Sequence, residues 1–329
     1  EFIGLSAALA ATPLVGRAGV YAQAATPRAT PAPMTKEERM AQYGPVKPNK
    51  PYKIAYMQVF PDNPFWTTMK QAIDARAKQD GVTVDTVALP TTSGVADQVS
   101  QFETVVTQKY DGVILGTVDA AGIVPGIEGA NKAGIPVISV DTAPAGGQII
   151  SIVQTDNIVA AKAGGQFILD KIGTGKVLNL QGDLANQTGQ ARNNGLHAVL
   201  DGKPGITVID QSDHWLATEA QAIVENILTS DPDIKAIFSA NDPPALAAVQ
   251  VLKAHNVSGV LVVGFDGTKD GLQAVKDGSM AADVLQFPDV MGTVALDLLV
   301  RHLNGETIPT KVDSGSGLAT KDNVDQYLQ

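Results

Sequence analysis

From residue 52 onward, short runs of β-branched and aliphatic residues alternate with longer segments whose apolar positions recur at helical spacing. The runs predict strands at 53–59, 82–88, 111–115, 136–140, 149–153, 176–181, 205–210, 235–239, 260–264 and 280–286. Helices are predicted between most of them, for example at 65–80, 97–109, 157–171, 217–230, 243–255 and 289–304. GVIL (112–115) and VLVV (260–263) are apolar without alternation, the pattern of parallel strands covered on both faces. Regular βα alternation gives a doubly wound α/β fold. Ten strands are too many for one ordinary sheet of this kind, and the βα series runs twice, from 53 to 140 and from 176 to 264. The chain is therefore read as two similar doubly wound parallel-sheet lobes, which suits its 329 residues.

The stretch before residue 52 has another character. Residues 25–51 form a Pro-rich arm, with one helical turn expected at 36–43. Residues 2–15 are small and apolar, and Ala22-Gln23-Ala24 has the A-x-A form of a cleavage site. Residues 1–24 are read as the remnant of an export signal. Pro13 and Arg17 interrupt its weak apolar core, and in this it resembles the tail of a twin-arginine signal. No cysteine follows the cleavage site to be lipidated, so a periplasmic chain without a lipid anchor is expected. No later stretch is long and apolar enough to span a bilayer.

Composition narrows the chemistry. The net charge is −10 with no basic cluster, which excludes nucleic-acid binding by phosphate neutralisation. The absence of cysteine excludes disulfides, thiolate metal sites and cysteine nucleophiles. His197, His214, His255 and His302 are scattered without metal-ligand spacing, and only His214 falls near a candidate site residue. There is no G-x-S-x-G, and GTGKV at 173–177 lacks the rest of a phosphate-binding loop. No metal or cofactor is expected.

Open parallel sheets bind ligands beyond the carboxyl ends of their strands, so the residues there are the ones to collect. After the first strand, Asn63-Pro64 reads as a helix cap and first helical residue, with Phe65 and Trp66 in the first turn. Further on come Asp141-Thr142, a polar run from Asp183 to Gln190 and Arg192, and Trp215 in a loop. Asn241 precedes Asp242, the expected cap of a Pro-Pro helix start. Asp266 and Gln286 complete the set. A strand-end Asp or Asn is often only a cap or turn residue. Here aromatics, carboxylates and amides from both lobes converge, and that combination suits the C–H faces and hydroxyls of a sugar or polyol.

These residues sit in segments that resemble a known family. NPFW, GVILGTVDA, IPVISVDT, TDN (155–157), LQG, NGLHAVL, AIFSANDPPALAAV, VVGFDGTKDG and LQFPDVMG are similar to the periplasmic sugar-binding proteins of the ribose-binding type. Those proteins are type I solute-binding components of ABC importers. The resemblance runs in order over about residues 52–315. It implies a three-crossing hinge near Thr155-Asp156, Gln286-Phe287 and Ser314–Ser316. The N-terminal lobe would then hold 52–155 and 287–314, and the C-terminal lobe 156–286 and 315–329. The resemblance places stacking aromatics at Phe65, Trp66 and Trp215, and hydroxyl-binding groups at Asn63, Asp141, Asn241, Asp266 and Gln286.

Two positions depart from the ribose pattern, which has arginines where this chain has Thr142 and Gln190. Arg192 is two residues from Gln190, about 200° round a helix, and is read as facing elsewhere. Ribose itself fits poorly with these changes. A neutral polyol, another small sugar and a cationic ligand in an aromatic and acidic cage are the ligands expected, in that order. The implied partners are that small molecule and a membrane permease, with the chain acting as a monomer and not as an enzyme. A glycosidase that pairs Asp141 with Asp266 is the catalytic alternative. A cytoplasmic sugar sensor shares the core, but the place of its DNA-binding helices holds the Pro-rich arm.

Overall fold

The computed structural model describes residues 35–89 and 94–328. The export-signal remnant and the arm up to residue 34 lie outside the described residues. The arm's expected helical turn is α1 (Lys36–Ala41), closed at its start by a reciprocal Thr35–Glu38 capping box.

Two six-stranded sheets follow. The first takes β1 (Lys53–Gln58), β2 (Thr83–Ala88), β3 (Gly112–Gly116), β4 (Val137–Val140) and β5 (Ser151–Gln154). Among them run α2 (Pro64–Asp80), α3 (Val95–Thr107) and α4 (Val124–Lys132). The chain then enters α5 (Asn157–Ile172) and the second series: β6 (Gly175–Leu180), α6 (Gln187–Leu200), β7 (Ile206–Gln211), α7 (Ala217–Ser230) and β8 (Ile234–Ser239). It continues through α8 (Asp242–Ala254), β9 (Leu261–Asp266), α9 (Lys269–Asp277) and β10 (Ala282–Leu285). Finally α10 (Pro288–Leu303) and β11 (Lys311–Asp313) return to the first sheet, and β12 (Gly317–Thr320) to the second.

The strand orders are β11-β5-β4-β3-β1-β2 and β12-β10-β9-β8-β6-β7. Every pairing is parallel except β10 with β12. All ten predicted strands form, and β11 and β12 are additional. Each sheet is buried on both faces, which explains why β3, β4 and β10 are buried at every position. On the first sheet one apolar cluster joins α2 and α10, and the other joins α3 and α4.

The chain passes between the sheets three times, at 155–156, 286–287 and 314–316. Two of these crossings are bonded together. Thr155 Oγ1 lies 3.2 Å from Ser314 Oγ and donates to the Gly315 carbonyl at 3.1 Å. Parallel strands point their carboxyl ends one way, so each lobe offers a rim of strand-end residues for a ligand site.

Candidate ligand-binding site

The strand-end residues of both lobes line one partly open cavity. Nine of the ten candidates line it: Asn63, Phe65, Trp66, Asp141, Thr142, Trp215, Asn241, Asp266 and Gln286. The lining also contains Phe60, Thr117, Asn186, Thr188 and Arg192. His214 is exposed, bonds Glu219 at 2.7 Å and is not part of the wall.

The tenth candidate, Gln190, is corrected. It is exposed, and its amide donates to the Leu184 carbonyl at 2.7 Å. The error lies in the phase of α6. Thr188 and Arg192 are four residues apart and share its cleft face, while Gln190 lies about 200° from each. Arg192 therefore points inward, where the sequence reading turned it away. The signal was present, since Thr188, Arg192, Leu196 and Leu200 recur at i, i+4 and are all buried.

The local backbone presents these groups with some strain. Phe60, Asp141, Trp215 and Asp266 all hold positive φ, at 45°, 62°, 67° and 125°. Non-glycine residues in such conformations cost energy and concentrate at functional sites. Asn63, which lines the cavity, caps α2 by accepting from Phe65 N–H at 2.9 Å. Asn241, not Asp242, occupies the cap position of α8, but its side chain makes no capping bond. Asp242 instead accepts from the Thr268 N–H at 2.8 Å and from its hydroxyl at 2.6 Å.

The aromatic walls need space that only glycine leaves. Phe65 and Trp66 meet edge to face, their ring centroids 5.3 Å apart. A Cβ on Gly116 would stand 2.8 Å from the Trp66 ring, and one on Gly182 would stand 2.4 Å from the Trp215 ring.

The charges are one guanidinium and two carboxylates. Arg192 donates from Nε to Asn157 Oδ1 at 2.8 Å and from Nη1 to the Ala240 carbonyl at 2.5 Å. Its Nη1 also lies 3.4 Å from Asp266 Oδ1, which accepts from Gln286 Nε2 at 2.7 Å. Burial raises the Asp266 carboxyl to about 8, and Arg192 opposes that shift. Burial likewise raises Asp141, against the pull of Arg192 and the Thr142 hydroxyl. It also lowers Arg192, whose carboxylate neighbours oppose the change, and a guanidinium keeps its charge in such a setting. Asp242 and Asp283 pair with each other and are both raised by burial, Asp242 to about 6. Two adjoining buried acids hold a proton between them more readily than two charges.

Four buried oxygens of the cavity residues have no protein partner among the described residues: Thr117 Oγ1, Asp141 Oδ1, Asn241 Oδ1 and Gln286 Oε1. Buried polar atoms are nearly always bonded, so these four are candidates to receive hydrogen bonds from a bound molecule. Among the described residues no cluster of His, Cys, Asp or Glu could hold a metal ion, and no helix is long and apolar enough to cross a membrane.

The chain is similar to known proteins along most of its length. The family model of the periplasmic binding protein domain matches residues 54–307. The ribose import binding protein of Bacillus subtilis (strain 168) is 33% identical over 263 residues, 79% of this chain and 84% of that protein. The D-allose-binding periplasmic protein of Escherichia coli (strain K12) is 34% identical over 259 residues, 75% of this chain and 83% of that protein. A solved ABC transporter solute binding protein from Mycobacterium smegmatis, with bound glycerol, superposes with a TM-score of 0.80 at 28% identity. That match covers 84% of this chain and 96% of the other. With the matched region running through both lobes, the chain belongs to the periplasmic binding protein family.

Proposed function

We propose that the chain is an extracytoplasmic solute-binding protein that captures a small neutral sugar or polyol between its lobes and delivers it to an ABC import permease. The observation that carries this is the set of oxygens without partners around the cavity. The carboxylate and amide oxygens of Asp141, Asn241 and Gln286 only accept hydrogen bonds, so the ligand must bring several donors. Hydroxyl groups do this without charge, and the Phe65, Trp66 and Trp215 rings suit the C–H surface between them. Contributions from both lobes fit capture by closure about the crossings.

The cationic reading is disfavoured by Arg192, which repels a second cation, and by the burial that raises both Asp141 and Asp266 and so favours their neutral forms. The glycosidase reading is disfavoured because Asp141 is held by Thr142 and Asp266 by Gln286, and the relatives are named for binding. Export to the periplasm fits the family and the signal-like residues 1–24, and the twin-arginine route is the one their composition favours.

A thermal-shift screen against pentoses, hexoses, tetritols, pentitols, inositols, glycerol and quaternary amines tests the reading. A ligand at 100 times its dissociation constant adds about 2.7 kcal/mol, a rise of a few degrees in Tm. A selective shift with one sugar or polyol is expected. Silence across the hydroxylated compounds, with a shift from an amine, would overturn the ligand class.

A further inference from the structure

Thr142 lines the cavity, yet its hydroxyl is already committed to protein. It donates to Asp141 Oδ2 at 2.8 Å and lies 3.0 Å from Thr188 Oγ1 and 3.5 Å from Asn186 Nδ2. A hydroxyl has one donor and two acceptor positions. Either hydroxyl can donate in the Thr142–Thr188 contact, and Thr188 Oγ1 also lies 3.4 Å from the Asp141 carbonyl, so the Thr142 hydroxyl is held by groups of both lobes. Thr142 follows β4 in the first sheet, whereas Asn186 and Thr188 open α6 beside the second. The lobes thus bond directly to each other at the cavity lining, through threonines that are 1% and 2% exposed. Thr117, which also lines the cavity, keeps its hydroxyl without a partner. Asp141 is split by the arrangement: Oδ2 serves Thr142, and Oδ1 is left for the ligand.

We propose that the Thr142–Thr188 contact is a specificity-determining stop, which ends the cavity beside Asp141 and sets the length of the polyhydroxyl ligand. The proposal rests on the sugar-or-polyol reading above. A ligand that puts a hydroxyl on Asp141 Oδ1 fills the cavity with the lobes closed. A ligand longer by one CH₂OH beyond that point meets the two threonines. It must break their bond and hold the lobes apart, and at Asp141 Oδ2 it competes with the Thr142 hydroxyl. Removing the Thr142 side chain beyond Cβ makes room for the extra group and frees Oδ2 to receive its hydroxyl.

The test is calorimetric titration with glycerol, erythritol, xylitol, sorbitol and the aldoses of matching length. Wild type is expected to prefer one chain length over the next longer by at least ~10-fold, the scale on which a pocket discriminates one methylene. Thr142→Ala is expected to move the preference one carbon longer, changing that ratio by ~10-fold or more. Thr142→Ser keeps the hydroxyl and is expected to restore the wild-type order. Thr188→Ala, from the other lobe, gives an independent second test should Thr142→Ala fold poorly. Uniform weakening with the order of ligands unchanged would overturn the stop, because the threonines would then serve closure alone. Wild-type silence across the whole series would overturn the sugar-or-polyol reading and the stop together, a result distinct from uniform weakening.

Discussion

The Arg192 guanidinium lies 3.4 Å from the Asp266 carboxylate, and its Cζ stands 3.8 Å from the centre of the Phe265 ring. Arg192 is 3% exposed and Asp266 5%. One comes from α6 and the other from the end of β9, so the pair belongs wholly to the lobe of the second sheet. That lobe carries its polar half of the site already assembled. The other lobe contributes Asn63, Phe65, Trp66 and Asp141 to the same cavity. A buried cation over an aromatic face, beside a carboxylate, is held by electrostatics that weaken sharply when any partner is lost.

Arg192→Lys keeps the charge and loses the geometry. A lysine cannot bond Asn157, the Ala240 carbonyl and Asp266 together from one point. Loss of a charged hydrogen bond costs about 1.5–3 kcal/mol of stability, and with the guanidinium no longer held in the cavity wall the dissociation constant should rise about 10-fold or more. Calorimetry with a ligand found in the screen measures this, and an unchanged constant would remove Arg192 from the site.

The raised carboxyls make stability depend on pH with a definite sign. Asp266 stands at about 8, Asp297 at about 7, and Asp213 and Asp242 at about 6, all raised chiefly by burial. An unfolded Asp titrates near 4, so the folded chain binds more protons through the interval above it. Their contribution is fully present below about pH 4 and is lost as pH rises through 6 to 8. Tm should therefore be higher at pH 5.5 than at pH 8.5. Asp266→Asn should remove the alkaline part of that slope. A ligand that donates to Asp266 favours the carboxylate, so affinity should rise between pH 6 and 8 with protons released. Titrations in buffers of different ionisation enthalpy would detect the release, and affinity that falls over this interval would contradict the assignment.

Gly182 is both left-handed, at φ +68°, and in contact with Trp215. Gly182→Ala forces a Cβ against the ring and strains the turn. A loss of about 1–3 kcal/mol is expected, read by chemical denaturation. The double variant with Trp215→Ala should recover the steric share and leave the backbone share. If the two losses add fully, the ring does not need the space.

The strands of the two sheets were legible because burial on both faces writes continuous apolar runs such as GVIL. β11 and β12 were not, since KVD and GLAT are edge strands whose pairing is set by the crossings between the lobes. Asp141, Asn241 and Asp266 were legible as polar residues at or just beyond the carboxyl ends of apolar strands. Phe60 and Thr117 stand in the same relation to β1 and β3 and escaped notice, Phe60 because an aromatic near a strand end looks like core. Arg192 escaped because the cleft face of α6 is polar, and a helix is usually phased by its apolar face. The Leu196–Leu200 step continues the Thr188–Arg192 step and would have fixed the phase.

The central claim is that the cavity oxygens without partners receive a neutral polyhydroxyl ligand. The chain has two tryptophans, Trp66 and Trp215, and both line the cavity, so intrinsic fluorescence reports occupancy there. The most direct measurement is a fluorescence titration with the sugar or polyol selected by thermal shift, on wild type and on Asp141→Asn and Asn241→Leu. A saturable change with one site per chain is expected in wild type, with at least ~10-fold weaker binding in each variant at unchanged circular dichroism. Wild-type affinity retained in both variants would contradict the claim, because the ligand would then bind without the groups that define the site.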